Sequence, residues 1–525
     1  MRGKVVSAAE AVRQIKSGDT VGVSGFIGMG HPAELTEALE KRFLETGEPK
    51  NLTLTFGASQ NDGKSWWGLN RFAREGFVKK IIAGHFGLQP DLVRMIVENK
   101  IEAYNIPQGV MMHLFRAIAG RKPGVLTHVG LRTFADPRET GGRLNEISKR
   151  EVVKLLEVDG EEYLFYKSFP VNVALIRGTS ADTRGNISIE KEGIALEFLP
   201  LAMAARNSGG IVIAQVERIV EAGTLHPMMV KVPGIMVDYI VQAAPENHMQ
   251  SMAEQYNPAL SGEVKVPLSG WKPIPLDDRK IICRRAAMEL FPDAVINLGI
   301  GMPEGVSAVA AEEGFIEKLT MTVEPGPIGG VPMSGLRFGC ALNPEALIDH
   351  AYQFDFYDGG GLDLAVLGLA ECDQFGNVNV SKFGPRIAGS GGFVNITQNT
   401  MRVVFAGTLT AGGLETAIGD GELRIVREGK NKKFVPKVGH ITFSGHYAQK
   451  VGQKVLYVTE RAVFELTPTG LMLTEIAPGV DLERDVLAQM EFKPHISPNL
   501  KLMDERIFRD APMNLKAETA AGGGD

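Results

Sequence analysis

Leu52-Thr53-Leu54-Thr55-Phe56 runs into Gly57, and Leu319-Thr320-Met321-Thr322-Val323 runs into Glu324. All six positions keep one offset, 267 residues (319 − 52). Both stretches are short apolar and threonine-rich runs of strand type, so the chain carries two copies of one unit. In the second copy a carboxylate stands where the first has no side chain. An acid at the end of a buried strand, in one copy only of a duplicated fold, marks a candidate catalytic group.

Outward from these strands the same order recurs. Ser7 and Glu10 have capping-box spacing, and Val12 and Ile15 share a helical face before Gly18. The strand Thr20-Val21-Gly22-Val23 then meets the loop 25–32 and a second helix. In the other copy a helix over roughly 279–290 leads to the strand 294–298, the loop Gly299-Ile300-Gly301-Met302-Pro303 and another helix. Gly28, Gly30 and Pro32 pair with Gly299, Gly301 and Pro303 at an offset of 271 (299 − 28). Further on, 182–187 parallels 373–378 at 191 (373 − 182). The first copy therefore holds 76 extra residues (267 − 191), part of them the polar stretch 122–167, read as an inserted subdomain or flap.

Strands alternating with helices in two copies predict two homologous open α/β domains with largely parallel sheets, from an internal duplication. The first spans 1–255 and the second 279–517, joined by the Pro- and Gly-rich segment 256–278. The small-residue tail 518–525 is expected to be disordered.

Composition narrows the classes. A length of 525 residues is too great for one core, and 44% apolar with 22% charged residues is ordinary for a soluble protein. A net charge of −6 gives no basic field for nucleic acid. Three cysteines without paired spacing argue against a disulfide scaffold or a structural metal site. No run approaches a membrane-spanning length, which leads to the expectation of a cytoplasmic protein without membrane partners. The basic run 427–437 is expected as a solvated hairpin, with nucleotide-phosphate contact as the alternative. His31 and His85, both in loops, are expected to serve packing.

The glycine loops are physical devices. Gly lets backbone approach a ligand closely, Pro suits the first helical position, and free amides at a helix start favour negative charge. A dinucleotide fingerprint fails in both copies: Glu304 stands where a third Gly is needed, and the first strand ends in Gly57 instead of an acid. The cluster Ala388-Gly389-Ser390-Gly391-Gly392-Phe393 can form a nest of N–H groups for an oxyanion or phosphate, and Gln108, in Pro107-Gln108-Gly109, offers an amide to the same charge.

Taken together, 297–303, 322–332, 389–393 and Pro107-Gln108-Gly109 on a duplicated chain resemble the class I coenzyme A-transferases, in the single-chain acetate/propionate type. The resemblance spans nearly the whole chain. It implies that Glu324 is the nucleophile, that Gln108 and the amides near Gly391 and Gly392 stabilise oxyanions, and that Asn297, Gly299, Gly301 and Gly389 line the CoA or acyl site. It implies a site between the two halves, coenzyme A as substrate with no metal or other cofactor, and a homo-oligomer. Pro325-Gly326 departs from the Asn-Gly of the 3-oxoacid branch, and Phe393 stands where other branches have Ala. Both point to short monocarboxylic acids such as acetate, propionate or lactate. Two rival readings use the same residues: an acyl-CoA hydrolase, in which water breaks the glutamyl thioester, and a non-catalytic sensing module that binds CoA.

Overall fold

The two quoted stretches form equivalent strands in a computed structural model that describes residues 4–267 and 273–515. The expected disordered tail, 518–525, lies outside the described residues. By internal contacts the chain forms two units: residues 1–266 with 323–355 and 384–395, and residues 267–322 with 356–383 and 396–525. The cut at 266 falls inside the expected join, but two segments of the second half, Glu324 and the 389–392 loop among them, pack within the first unit.

In the first unit α1 (Ala8–Val12) is capped by Ser7, whose hydroxyl accepts the Glu10 N–H at 3.2 Å. There follow β1 (Thr20–Val23), α2 (Ala33–Thr46), β2 (Leu52–Phe56), β3 (Val78–Ala83), α3 (Pro90–Val97), β4 (Glu102–Asn105) and α4 (Gln108–Ala119). Next come β5 (Gly124–Thr127), β6 (Val153–Val158), β7 (Glu161–Lys167), β8 (Val173–Asp182), β9 (Ile187–Ser188), α5 (Phe198–Asn207), β10 (Ile211–Val220) and β11 (Tyr239–Gln242). The main sheet runs β11-β10-β8-β1-β2-β3-β4 with every neighbour parallel. Its core joins Val21, Val23, Leu54, Phe56, Ile81 and Leu175 to Leu35 and Leu39 of α2. The stretch 122–167 contains a separate antiparallel sheet in the order β5-β7-β6.

The second unit contains α6 (Asp278–Ala287), capped by Asp277, then β12 (Val295–Leu298), α7 (Gly305–Glu312) and β13 (Thr320–Thr322). Its sheet continues from β13 and β12 through Leu364–Gly368, Arg402–Ala406 and Lys454–Val458, all parallel. Three further strands end at His495–Leu502. The order β13-β12-(364–368)-(402–406)-(454–458) repeats β2-β1-β8-β10-β11.

Register shows the duplication residue by residue. Gly22 pairs with Thr55 and Ala174, and Asn297 pairs with Thr322 and Ala365. Val212 beside Ala174 is matched by Val403 beside Ala365. The offsets of 267 and 191 are thus those of real strand neighbours, whereas the central strand sits at 275 (297 − 22). The first glycine loop is four residues longer than the second, which is why the loops match at 271.

Chain order continues with α8 (His350–Asp358) and α9 (Phe393–Asn399). The basic run departs from a simple solvated hairpin. Glu422–Arg427 does pair with Glu415–Gly419, but Asn431–Lys432 pairs with Thr410–Ala411. Lys433 is buried, and burial pulls its amine down to about 8.

Candidate functional site

After Thr322 the chain turns sharply. The Gly326 N–H donates to Val323 O at 3.0 Å, and the Val323 N–H donates to Pro327 O at 2.9 Å. Pro325 stiffens this turn and Gly326 takes φ +127°, a conformation open to glycine. The turn is anchored from both sides, by the Gln353 amide donating to Val323 O at 3.3 Å and by the Ile348 N–H donating to Gly326 O at 3.0 Å. Glu324 is the second residue of the turn, so its carboxylate projects from a rigid corner. It is partly buried, and burial raises its pKa to about 7 against the opposing pull of one donor, the Gly392 N–H. A side chain on Gly392 would fall on the Glu324 carboxylate, so only glycine leaves that amide within reach.

The loop that carries Gly392 is laid against the end of β3 like an added strand. The Phe86 N–H donates to Ala388 O at 2.6 Å and the Gly391 N–H to Gly84 O at 2.9 Å. Gly389, at φ +80°, packs where a Cβ would meet Gly84 O and the His85 Cα at 3.0 Å. Asn105, fully buried at the end of β4, ties both sides together. Its amide nitrogen donates to Ala83 O at 3.0 Å and Gly84 O at 2.6 Å, and its oxygen accepts the Ser390 N–H at 3.0 Å.

α4 starts at Gln108 behind Pro107, and its first amides meet the same loop. The Gln108 N–H donates to Gly391 O at 3.0 Å, and the Gly109 N–H to Asn395 Oδ1 at 3.1 Å. These helix-start amides are therefore occupied, and the donor Gln108 keeps for other work is its side chain. That side chain lies 3.0 Å, nitrogen to nitrogen, from His350 Nε2, and His350 Nδ1 lies 2.9 Å from Glu197 Oε2. His85 stands on the other side, its ring 3.8 Å from the position of a Cβ on Gly391 and its Nδ1 2.8 Å from Ser59 Oγ. Burial lowers the His85 pKa to about 4, so the ring is neutral at physiological pH.

The structure thus brings Glu324, Gln108, Gly389, Gly391 and Gly392 into one unit from opposite halves of the sequence. Of the two adjacent loop amides, the Gly391 N–H is taken by Gly84 and the Gly392 N–H faces the carboxylate. Asn297, Gly299 and Gly301 belong to the other unit. Asn297 is buried at the end of β12, donating to Thr322 O at 3.2 Å and the Tyr357 hydroxyl at 3.3 Å.

The two Gly-x-Gly-x-Pro loops have diverged. The first is buried throughout, and the Gln215 side chain accepts the Glu34 N–H at 2.9 Å at its helix start. The second is open: Ile300 is 56% exposed and nothing lies within 4 Å of a Cβ on Gly301, which takes φ +86°.

Three residues at the site are new to it. His31 does serve packing, wedged between Gln60 Oε1 at 2.6 Å and Thr36 Oγ1 at 2.9 Å. His85 borders the glycine loop and is hydrogen-bonded to Ser59. Glu197 and His350 had one legible signal, charge inside apolar context: Glu197 interrupts Ile194-Ala195-Leu196 and Phe198-Leu199. Phe393, the first residue of α9, is nearly buried. Among the described residues no helix is long and apolar enough to cross a membrane.

Comparison with known proteins places the chain in a family. The sequence model described as Coenzyme A transferase matches residues 5–243. The caffeate CoA-transferase of Acetobacterium woodii is 48% identical over 513 residues, 97% of this chain and 98% of that protein. The acetate CoA-transferase YdiF of Escherichia coli K12 is 44% identical over 521 residues, covering 99% and 98%. The crystal structure of the acyl-CoA transferase YdiF of E. coli O157:H7, a thioester complex with CoA, superposes with a TM-score of 0.93 at 43% identity, covering 98% and 97%. The chain belongs to the coenzyme A transferase family, as a class I enzyme of the single-chain type.

Proposed function

We propose that this enzyme transfers CoA between a short-chain acyl-CoA and a free short-chain carboxylate, acetate or propionate among them, by two covalent half-reactions on Glu324. A Glu324 oxygen attacks the thioester carbonyl carbon, the C–S bond breaks, and an acyl-glutamyl anhydride and CoA thiolate form. The thiolate attacks the glutamyl carbonyl, the C–O bond to the acyl group breaks, and the first acid leaves as its carboxylate. A glutamyl-CoA thioester remains, and the incoming carboxylate reverses both steps. Thioester energy is conserved, and the nucleophile needs no general base because it works as an anion.

The observation that carries this reading is the Glu324 carboxylate itself. It sits on a braced turn, partly desolvated and held by the amide of Gly392, whose loop neighbour Gly391 lies beside the Gln108 side chain. Gln108 is the oxyanion donor we assign, worth about 3–4 kcal/mol in the transition state. The open loop at Gly299 and Gly301 is the seat we assign to the pantetheine end of CoA. The thioester complex captured in YdiF supports a covalent path, and Pro325-Gly326 supports monocarboxylic acids. We also infer a cytoplasmic homo-oligomer, as in the sequence expectation.

The test is intact-protein mass spectrometry after brief exposure to propionyl-CoA without an acceptor, beside Glu324→Gln. The expected result is a CoA-sized adduct mapped to Glu324, absent from the variant and discharged by acetate as acetyl-CoA. Turnover in Glu324→Gln should fall by about 10⁴-fold or more. An adduct that decays in water and ignores acetate would make the enzyme a hydrolase, and no adduct under saturating CoA binding would sink the covalent path. Repeating the discharge with lactate and with caffeate then ranks the acids.

A further inference from the structure

The open loop after β12 is gripped by α6. Two side chains one helical turn apart reach it: Arg279 Nη2 donates to Gly301 O at 3.0 Å, and Cys283 Sγ donates to Met302 O at 3.2 Å. Arg279 Nη2 also lies 3.5 Å from Glu304 Oε2. Burial raises the Glu304 pKa, and the Gly301 N–H and Arg279 pull against it. A Cβ on Gly305 would lie 2.7 Å from Cys283 Sγ and 3.2 Å from Arg279 Nε, so glycine there lets α6 close on the loop. Glu304 is the residue that breaks the dinucleotide fingerprint, and the first copy has Ala33 in its place (304 − 271).

Hydrogen-bond accounting shows what this grip leaves. The Gly299 N–H is spent on Val366 O at 2.9 Å. Gly301 is held at both ends, its carbonyl by Arg279 and its N–H by the Glu304 carboxylate. Between them the Ile300 N–H has no partner among the described residues, on a residue that is 56% exposed. An outward backbone N–H on a held loop is the complement of a carbonyl, and the pantetheine arm of CoA carries two amide carbonyls.

We propose that Arg279 and Glu304 are positioning residues for the CoA arm: by holding the Gly301 peptide they present the Ile300 N–H to an amide carbonyl of pantetheine. The proposal rests on the reading of the 299–301 loop as the seat of the pantetheine end. Neither residue touches the reacting atoms; both act through the loop backbone.

Glu304→Ala, which copies the first half, and Arg279→Met are the direct tests. Each should weaken CoA binding, read by calorimetry, by about 10-fold. For propionyl-CoA and for S-propionyl pantetheine, kcat/KM should fall by about the same factor. With S-ethyl thiopropionate, which has no amide, each variant should stay within about twofold of wild type. Glu304→Gln, whose side-chain oxygen still accepts the Gly301 N–H, should recover part of the loss, and Arg279→Lys, which still donates to a carbonyl, should do the same.

Gly301→Ala separates the proposal from the reading beneath it. Alanine takes φ +86° and ψ −117° only with strain, and its Cβ would meet nothing within 4 Å, so the change acts on the loop backbone. If Gly301→Ala binds CoA as tightly as wild type, the loop is not the seat, and reading and proposal fall together. If it weakens CoA while Glu304→Ala and Arg279→Met do not, the proposal alone is overturned. Equal losses with S-ethyl thiopropionate would show a merely structural role and overturn it as well. Thermal unfolding of each variant separates loss of fold from loss of binding, and either truncation suffices where the other does not fold.

Discussion

A carboxylate that attacks a thioester is most reactive where water holds it least. Glu324 has that character: burial lifts its pKa from 4.5 to about 7, and Gly392 returns only part of the lost solvation. The sign of the consequence for rate is fixed, because only the anion attacks. With propionyl-CoA, kcat/KM should rise tenfold per pH unit below about 7 and level off above it, a limb that reports the free enzyme. A profile flat from pH 5.5 to 8.5 would show that Glu324 is ionised throughout. Stability runs the other way. The native state binds the Glu324 proton more tightly than the unfolded chain, so stability is greatest below pH 4.5 for this group and is lost as pH rises through about 7. The full shift corresponds to on the order of 3 kcal/mol. Glu324→Gln should therefore raise the unfolding midpoint at pH 8 and leave it unchanged at pH 4. A variant equally stabilised at both values would assign the effect to packing instead of charge.

At the scale of elements, the glycine loop is held by side chains that the sequence does not advertise. Asn105 makes three buried hydrogen bonds, to Ala83, Gly84 and Ser390, and no motif marks it. Asn105→Ala leaves two carbonyls and one N–H without these partners, which costs about 2–3 kcal/mol. It should also lower kcat more than KM, since the loop that aims the Gly392 amide loses its tie to β4. Unfolding midpoints and steady-state rates on one preparation check both halves of that expectation. What the sequence did show at this scale were strands, caps and glycine loops, because these depend on neighbours within a few residues. Ser7 caps the helix its spacing indicated, and Asp277 caps the helix expected over roughly 279–290. Glu197, His350 and His85 come together from positions more than a hundred residues apart, and no spacing rule records that. The first Gly-x-Gly-x-Pro loop misleads for a related reason: local sequence gives its turn, but only the fold shows Gln215 occupying the amides behind it.

For the whole molecule, the contrast between Gly57 and Glu324 has a physical basis. The ends of equivalent strands β2 and β13 have taken different tasks. At the second the chain bends to present a carboxylate. At the first, α4 and its Gln108 are seated against the strand ends, at Gly57 and at Gly84 just past neighbouring β3. A Cβ on Gly57 would come 2.5 Å from the Met112 methyl and 3.8 Å from Gln108 Cγ. A Cβ on Gly84, at the end of neighbouring β3, would meet Gly57 O and come 3.0 Å from the Gln108 Cα. The sequence offsets gave the copies and the odd residue, whereas the reason for the empty position lies in a helix fifty residues further on. The two glycines therefore separate by what must yield. Met112 can swing its methyl away, so Gly57→Ala should keep kcat within about threefold and lose under about 1.5 kcal/mol of stability. Gly84→Ala presses on backbone that cannot swing, so it should displace Gln108 and lower kcat by about 10²-fold, the scale of losing an oxyanion donor. It should destabilise by about 1–3 kcal/mol as well. Measured side by side, a Gly84→Ala enzyme as active as Gly57→Ala would mean that Gln108 is not seated by these strand ends, and the division of labour between the copies would fail with it.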